Sequence, residues 1–349
     1  MENTEKQVLQ SLPAKKKLRI LLSSNAPWST SGYAQQVRDL IPLIKQAGYD
    51  VAVVAFYGLS GGKIALDDVL YYPNWMDVWG SDAVIAHQRD FQADCVITFQ
   101  DVWTINPEML KQFKHWIPML PIDQDPIPFA IEERARLAYR IVSHSDFGKK
   151  QLENKGMSST YIPLLVDTEI FKPYPKDVMK QAIGLSPDTF LFGMVAANKD
   201  NPPRKSFQEA MDAFKMFHDK HPKSVMYFHT FTQQPGGFPI DDYAKFIGIK
   251  DSIRALDLYE LAFKTDKTMM PKIYSAFDCL VAPSTNEGFG VPIIEAQACA
   301  TPVITNNFTS MPELIKPGET GFLCDVAYKR FTPILSYVGI PSLLINTRV

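Results

Sequence analysis

The stretch NEGFGVPIIEAQ, residues 286–297, sets two carboxylates, Glu287 and Glu295, on either side of a glycine turn. Gly288 and Gly290 free the backbone, and Pro292 suits the first turn of a helix. Such a turn favours anions, because unbonded N–H groups and the helix dipole both point positive charge at it. Carboxylates do not belong beside phosphate: at 4 Å, two like charges repel by about 4 kcal/mol at an effective dielectric near 20. Each glutamate alone reads as an ordinary turn or first-turn residue. Bracketing the same anion-binding turn, the pair fits hydroxyl groups at both ends of a diphosphate. The ligand with that order of groups, sugar then diphosphate then ribose, is a nucleotide sugar.

A second loop supplies cations. AANKDNPPRKSF (196–207) places Lys199, Arg204 and Lys205 within seven residues, directly after a dense apolar run. A solvated loop would look similar. At the carboxyl end of a leading strand, however, such cations can clamp a diphosphate, arginine by its fork and lysine as a point charge. A third loop, SSNAPWSTSGYAQQ (23–36), carries Gly32 before a helical pattern; a tight turn with a serine N-cap and a phosphate contact are equally good readings.

The elements that must hold these loops follow βαβ grammar. LRILLSS (18–24), a helical stripe through Val37, Leu40, Ile41 and Ile44, and DVAVVAF (50–56) read as strand, helix, strand. DCVITF, WIPMLPI, RIVSHS and TYIPL continue the first series. FLFGMVAA (190–197) restarts it, followed by a helix over 205–222, and VMYFHTF, IRALDLYEL, DCLVAPS and TPVIT supply further strands. The class is α/β, with two Rossmann-like, doubly wound domains. The expected division is 1–170, a proline- and charge-rich linker 171–189, a second domain 190–326 and a tail 327–349. Ligands of open α/β sheets bind at strand carboxyl ends, so two such domains are expected to face each other across a cleft.

Bulk properties narrow the classes. The 349 residues carry 36 basic and 38 acidic side chains, and neither half is a basic lobe, so nothing attracts nucleic acid; net charge gives no support to peripheral membrane contact either. Cys95, Cys279, Cys299 and Cys324 each sit in an apolar run without a CxxC pair, which reads as free packing thiols in a reducing compartment. The N-terminal MENTEKQVLQSLPAKKK has no apolar signal stretch and no run is long enough to span a membrane, so a cytoplasmic location is expected. His144 and His229 read as structural residues.

On these residues the chain resembles the retaining GT-B glycosyltransferases of the group that includes bacterial mannosyltransferases, sucrose synthases and glycogen synthases, family GT4 and its relatives. PPRKSF, NEGFGVPIIEAQACATPVIT, SMPELI and PGETGFLCD occur in family order and spacing; SHSDFGKKQL followed by IPLLVDTEIFKP resembles the approach to the family's linker. The likeness runs from Leu18 to Asp325 and is stronger in the second domain. It implies transfer of a glycosyl group from a nucleotide diphosphate sugar to a hydroxyl acceptor, which could be a glycan, a lipid or a small molecule, with retention and without metal or other cofactor. By the resemblance, Glu295 holds the ribose, and Glu287 with the backbone of Gly288, Phe289 and Gly290 holds the donor sugar. Val291 N–H faces the phosphates with Arg204 and Lys205, Lys199 stands where many members have arginine, and Gly32 approaches donor or acceptor.

Three departures stand out. Where many members carry a histidine after the strand equivalent to WIPMLPI, this chain has Asp123; it is expected near the donor sugar or acceptor and, with Glu287, Arg204 and Lys205, among the catalytic residues. Asp123-Gln124-Asp125 also looks like the DxD of metal-dependent transferases, whereas the architecture is the metal-independent one. Asp101 and Trp103, at another strand end, complete the expected acceptor cleft. The tail contains Pro333, Gly339 and Pro341, which oppose the long closing helix of the family, and reads as atypical or truncated. An epimerase on the same fold, or a binding protein with impaired catalysis, is the alternative.

Overall fold

RILLSS forms β1 (Arg19–Ser24), in which every residue after Arg19 is buried, and DVAVVA forms β2 (Asp50–Ala55) with the same pattern. Strands covered on both faces need continuous apolar runs, and these two pair in parallel from Arg19↔Asp50 to Ser24↔Ala55. Between them helix α1 (Gly32–Gln46) is capped by Ser31, whose side chain accepts from the Ala34 amide at 3.1 Å, and buries Ala34, Val37, Ile41 and Ile44 at helical spacing. The computed structural model describes residues 17–199, 203–261, 267–335 and 341–348. The chain divides into two compact units, residues 1–119 with 133–141, and residues 120–132 with 142–349.

In the first unit β3 (Ile64–Leu66) and β4 (Val69–Tyr72) form an antiparallel hairpin, closed by Asp67 and Asp68, both at positive φ. With β5 (Cys95–Thr98) and β6 (Ile117–Leu120) the strands stand in the order β3-β4-β2-β1-β5-β6, parallel apart from the hairpin. Helix α2 (Ser81–Asp90) leads into β5.

The second unit begins with two short strands, β7 (Val142–Ser143) and β8 (Thr160–Tyr161), paired in parallel around helix α3 (Asp146–Glu153). Its main sheet is wholly parallel: β9 (Phe190–Val195), β10 (Ser224–His229), β11 (Ile253–Ala255), β12 (Cys279–Ala282), β13 (Val303–Asn306) and β14 (Gly321–Cys324), in the order β11-β10-β9-β12-β13-β14. Helices α4 (Phe207–His218) and α5 (Ile240–Phe246) belong to one face, where Phe207, Met211 and Phe214 pack with Met194, Met226 and Phe228. Helices α6 (Met270–Ala276) and α7 (Val291–Ala298) belong to the other, where Tyr274, Phe277, Ile293 and Ala296 pack with Leu191, Leu280 and Val303. The strands contribute alternate residues to the two cores, as the pleat requires. Gly193 is needed here, since a Cβ would lie 2.1 Å from the Phe277 ring. In the tail, the prolines that oppose a helix lie in two strands instead: β15 (Tyr328–Leu335) pairs antiparallel with β16 (Pro341–Arg348).

Candidate functional site

The carboxyl ends of the neighbouring strands β9 and β12 open into a shallow recess, lined among others by Ala196, Pro283, Ser284, Lys205, Glu287 and Gly290. This is where an open parallel sheet binds its ligand. The loop after β12 reaches it through the glycine turn. Gly290 caps α7 at φ 115°, a left-handed conformation that favours glycine, and Pro292 follows in the first turn. Gly288 is required for a different reason: a Cβ there would stand 2.6 Å from the Pro121 side chain and 2.8 Å from its backbone.

Residues the sequence reading did not weigh hold the turn in place. The Glu287 amide donates to the Thr309 hydroxyl at 3.1 Å, and the Ser310 hydroxyl lies 2.8 Å from the carbonyls of both Glu287 and Phe289. Asn286, fully buried, donates from its side chain to Asp123 Oδ2 at 3.0 Å, so Asp123 is brought to the residue that precedes Glu287. SMPELI contained the signal for Ser310, but no spacing rule assigned it a role.

Arg204 and Lys205 arrive from the loop between β9 and α4 and converge on Glu287. Arg204 Nη1 stands 3.1 Å from Glu287 Oε2 and donates to the Asn286 carbonyl at 2.5 Å, while Lys205 Nζ donates to Glu287 Oε1. Burial pushes the Glu287 carboxyl up; the charges of Arg204 and Lys205 outweigh it and hold the group well below the ordinary glutamate range. The cations expected for a diphosphate thus already hold one carboxylate. Lys199 is exposed.

Glu295 is 5% exposed, and its Oε2 accepts from the Tyr274 hydroxyl at 2.7 Å. Phe289 is buried, and Val291 opens α7; Pro292 has no N–H and the Ile293 amide donates to the Gly290 carbonyl at 2.9 Å, so the Val291 N–H is the first-turn donor beyond the reach of an intrahelical acceptor. Gly32, Asp101 and Trp103 belong to the first unit. There Gly32 is the first residue of α1, its neighbour Tyr33 donates to Asp101 at 3.0 Å, and Trp103 packs edge-on against Trp79. Among the described residues no group of three or more His, Cys, Asp or Glu side chains could hold a metal ion. No helix among them is long and apolar enough to cross a membrane.

The family profile described as "Glycosyl transferases group 1" matches residues 202–330, a span that contains Arg204, Lys205, the glycine turn and the residues that pin it. That stretch is similar to the group 1 glycosyltransferases. Across 192 residues, 53% of this chain and 45% of the relative, the sequence is 24% identical to a D-inositol 3-phosphate glycosyltransferase from Actinosynnema mirum. Over 56 residues, 16% of this chain and 14% of the relative, it is 45% identical to the O-antigen chain mannosyltransferase B of Escherichia coli. The chain spans under half the length of these curated relatives. Its fold is that of sucrose-phosphate synthase from Thermosynechococcus elongatus, with TM-score 0.71, 18% identity and coverage of 88% and 86% of the two chains. An Anabaena protein, HepE, solved with UDP and glucose, superimposes with TM-score 0.64 at 16% identity, covering 88% and 86%. The stretch that matches the profile therefore sits in a GT-B fold.

Proposed function

We propose that the chain is a retaining glycosyltransferase that moves a glycosyl group from a nucleotide diphosphate sugar to a hydroxyl acceptor. The observation that carries this reading is the convergence of Arg204, Lys205 and Glu287 on a glycine turn at the start of α7, beside the recess at the ends of β9 and β12. The names of the relatives support glycosyl transfer, and HepE's complex with UDP and glucose supports the donor class.

In this reading the diphosphate shares Arg204 and Lys205 with Glu287, and the Val291 N–H at the opening of α7 completes its cradle. Glu287 keeps one side toward the cations and accepts from donor-sugar hydroxyls on the other, while Glu295 accepts from the ribose. Negative charge grows on the leaving diphosphate as the glycosidic bond breaks, so cations fixed beforehand act mainly on the transition state. The leaving phosphate oxygen takes the acceptor's proton on the same face of the sugar, which gives retention without a separate base. Asp123, tied to Asn286, is placed next to the donor-sugar end. The reaction needs no metal in this scheme, and turnover should survive chelation by EDTA. Four free cysteines support a reducing, cytoplasmic setting.

A thermal-shift screen of UDP-, GDP- and ADP-sugars tests the proposal, since a ligand that binds the folded state raises the melting temperature. The binding donor then enters a transfer assay with NMR of the anomeric proton in donor and product. Stabilisation by no nucleotide sugar, or an inverted product, would sink it.

A further inference from the structure

Four of the chain's five tryptophans stand in loops that follow strands of the first unit: Trp28 after β1, Trp75 and Trp79 after β4, and Trp103 after β5. The fifth, Trp116, is buried. Contacts link the loops through residues 56–58. Trp28 donates its indole N–H to the Gly58 carbonyl at 2.7 Å and meets Tyr71 edge-on, while Trp79 meets Phe56 and Trp103 edge-on at centroid distances of 6.2 and 6.4 Å. In the same loop as Trp79, Trp75 and Met76 are 77% and 80% exposed, and Trp28 is 44% exposed. The loop that carries Trp75 is nevertheless firmly built. Asp77 accepts from the Trp79 and Ser81 amides, each at 3.0 Å, and Asp82 accepts from the Met76 and Asp77 amides at 3.0 and 3.1 Å. At its end Gly80 is packed so closely that a Cβ would stand 2.7 Å from that of Phe56. Several large rings left in water on ordered neighbouring loops mark a binding surface.

The polar groups of these loops select the ligand's class. Residues 25–31, 56–61, 73–80 and 99–106 contain no lysine or arginine; their charged residues are Asp77 and Asp101, and Asn25, Ser29 and Asn74 add neutral hydrogen-bonding groups. Arg38, which reaches the Pro27 carbonyl at 3.5 Å, is paired with Asp39. Phosphate-bearing lipids and nucleic acids call for cations that these loops lack. A saccharide needs none: the C–H face of its ring carries weak positive charge, which suits the negative face of an indole, while its rim of hydroxyls bonds to carboxylates and amides. We infer that the aromatic loops of the first unit bind a glycan, with Trp75 and Trp28 as stacking faces, and that this glycan is the hydroxyl acceptor. Two exposed rings in separate loops call for more than one sugar unit. The role as acceptor rests on the proposed glycosyl transfer; the binding of the glycan does not.

The full chain is screened on an array of neutral and acidic oligosaccharides, and the captured oligosaccharide and its constituent monosaccharide are then titrated by calorimetry. The oligosaccharide should bind about tenfold more tightly than the monosaccharide. Trp75→Leu and Trp28→Leu should each weaken it by about tenfold and Trp75→Phe by less, because stacking needs a ring face and not merely apolar bulk. Trp75 is so exposed that its replacement should leave the melting temperature as it was. Vesicles of phosphatidylcholine, with or without phosphatidylglycerol, should not bind. Capture of no glycan, unchanged affinity in either leucine variant, or vesicle binding that Trp75→Leu retains overturns the assignment. In a transfer assay with the donor found by thermal shift, the same oligosaccharide should accept the sugar, and Trp75→Leu should raise its KM about tenfold with donor KM unchanged. A glycan that binds through the tryptophans but accepts no sugar from a donor that binds overturns the acceptor role alone. A chain that binds the glycan yet is stabilised by no nucleotide sugar overturns the glycosyl-transfer reading and leaves the glycan surface standing.

Discussion

Arg204 grips Glu287 and the backbone beside it with one nitrogen: Nη1 stands 3.1 Å from the Glu287 carboxylate and donates to the Asn286 carbonyl at 2.5 Å. The contact therefore serves both the charge balance of the recess and the shape of the turn, and these two contributions should separate on mutation.

Lys205→Ala should lower kcat by about 10²–10³ with a smaller change in donor KM, as expected for a cation that acts on the leaving group. Arg204→Ala should lower kcat similarly and also reduce the melting temperature, because the Asn286 carbonyl loses its donor. Arg204→Lys keeps the charge and should recover more of the turnover than of the melting temperature, since its shorter side chain reaches less readily to the Asn286 carbonyl. Steady-state kinetics with scanning calorimetry checks all three; unchanged turnover in both alanine variants would remove the cations from the mechanism.

Glu287 should make stability sensitive to acid. Its carboxyl is depressed in the folded state relative to the ordinary 4.5, so its contribution is fully present above that value. As pH falls below 4.5 the unfolded chain takes up the proton first, and the contribution is lost progressively as pH approaches the lower folded pKa. Melting temperatures measured from about pH 7 to about pH 3 should fall less steeply below 4.5 for Glu287→Gln than for wild type.

Gly288→Ala should destabilise the fold by about 1–3 kcal/mol and weaken donor binding, because the added methyl meets the Pro121 ring and backbone, neither of which can swing away. Gly290→Ala should be damaging for a separate reason, the left-handed backbone at φ 115°. Chemical denaturation and donor titration of each variant distinguish a lost turn from lost contacts.

Ser310→Ala should cost about 1–3 kcal/mol, since the carbonyls of Glu287 and Phe289 lose their shared hydroxyl. Donor affinity should fall although Ser310 itself accepts no ligand in this reading. Unchanged affinity with reduced stability would show that the turn keeps its shape without the hydroxyl.

Much of the fold was legible because β1, β2, β9 and β10 are buried on both faces and so read as unbroken apolar runs. Local signals failed where tertiary packing sets the ends. IRALDLYEL yields only Ile253–Ala255 as strand, RIVSHS yields two strand residues, and the β3 side of the hairpin is exposed and lacks a strong apolar run. At the site, residue types announced the glutamates, glycines and cations. Their partners did not announce themselves: Tyr274 is 21 residues from Glu295, and Asp123 is 163 from Asn286. A single sequence shows what each side chain can do, whereas such pairings are made by the folding of distant segments.

Thr309 and Ser310 hold the glycine turn through its backbone alone. The side chains around the recess, Val195, Ala196 and Pro283 among them, take no part in those bonds. The turn is a fixed chassis under an exchangeable lining: under the proposed function, donor preference would change with a few wall residues while the cations at the turn keep their places.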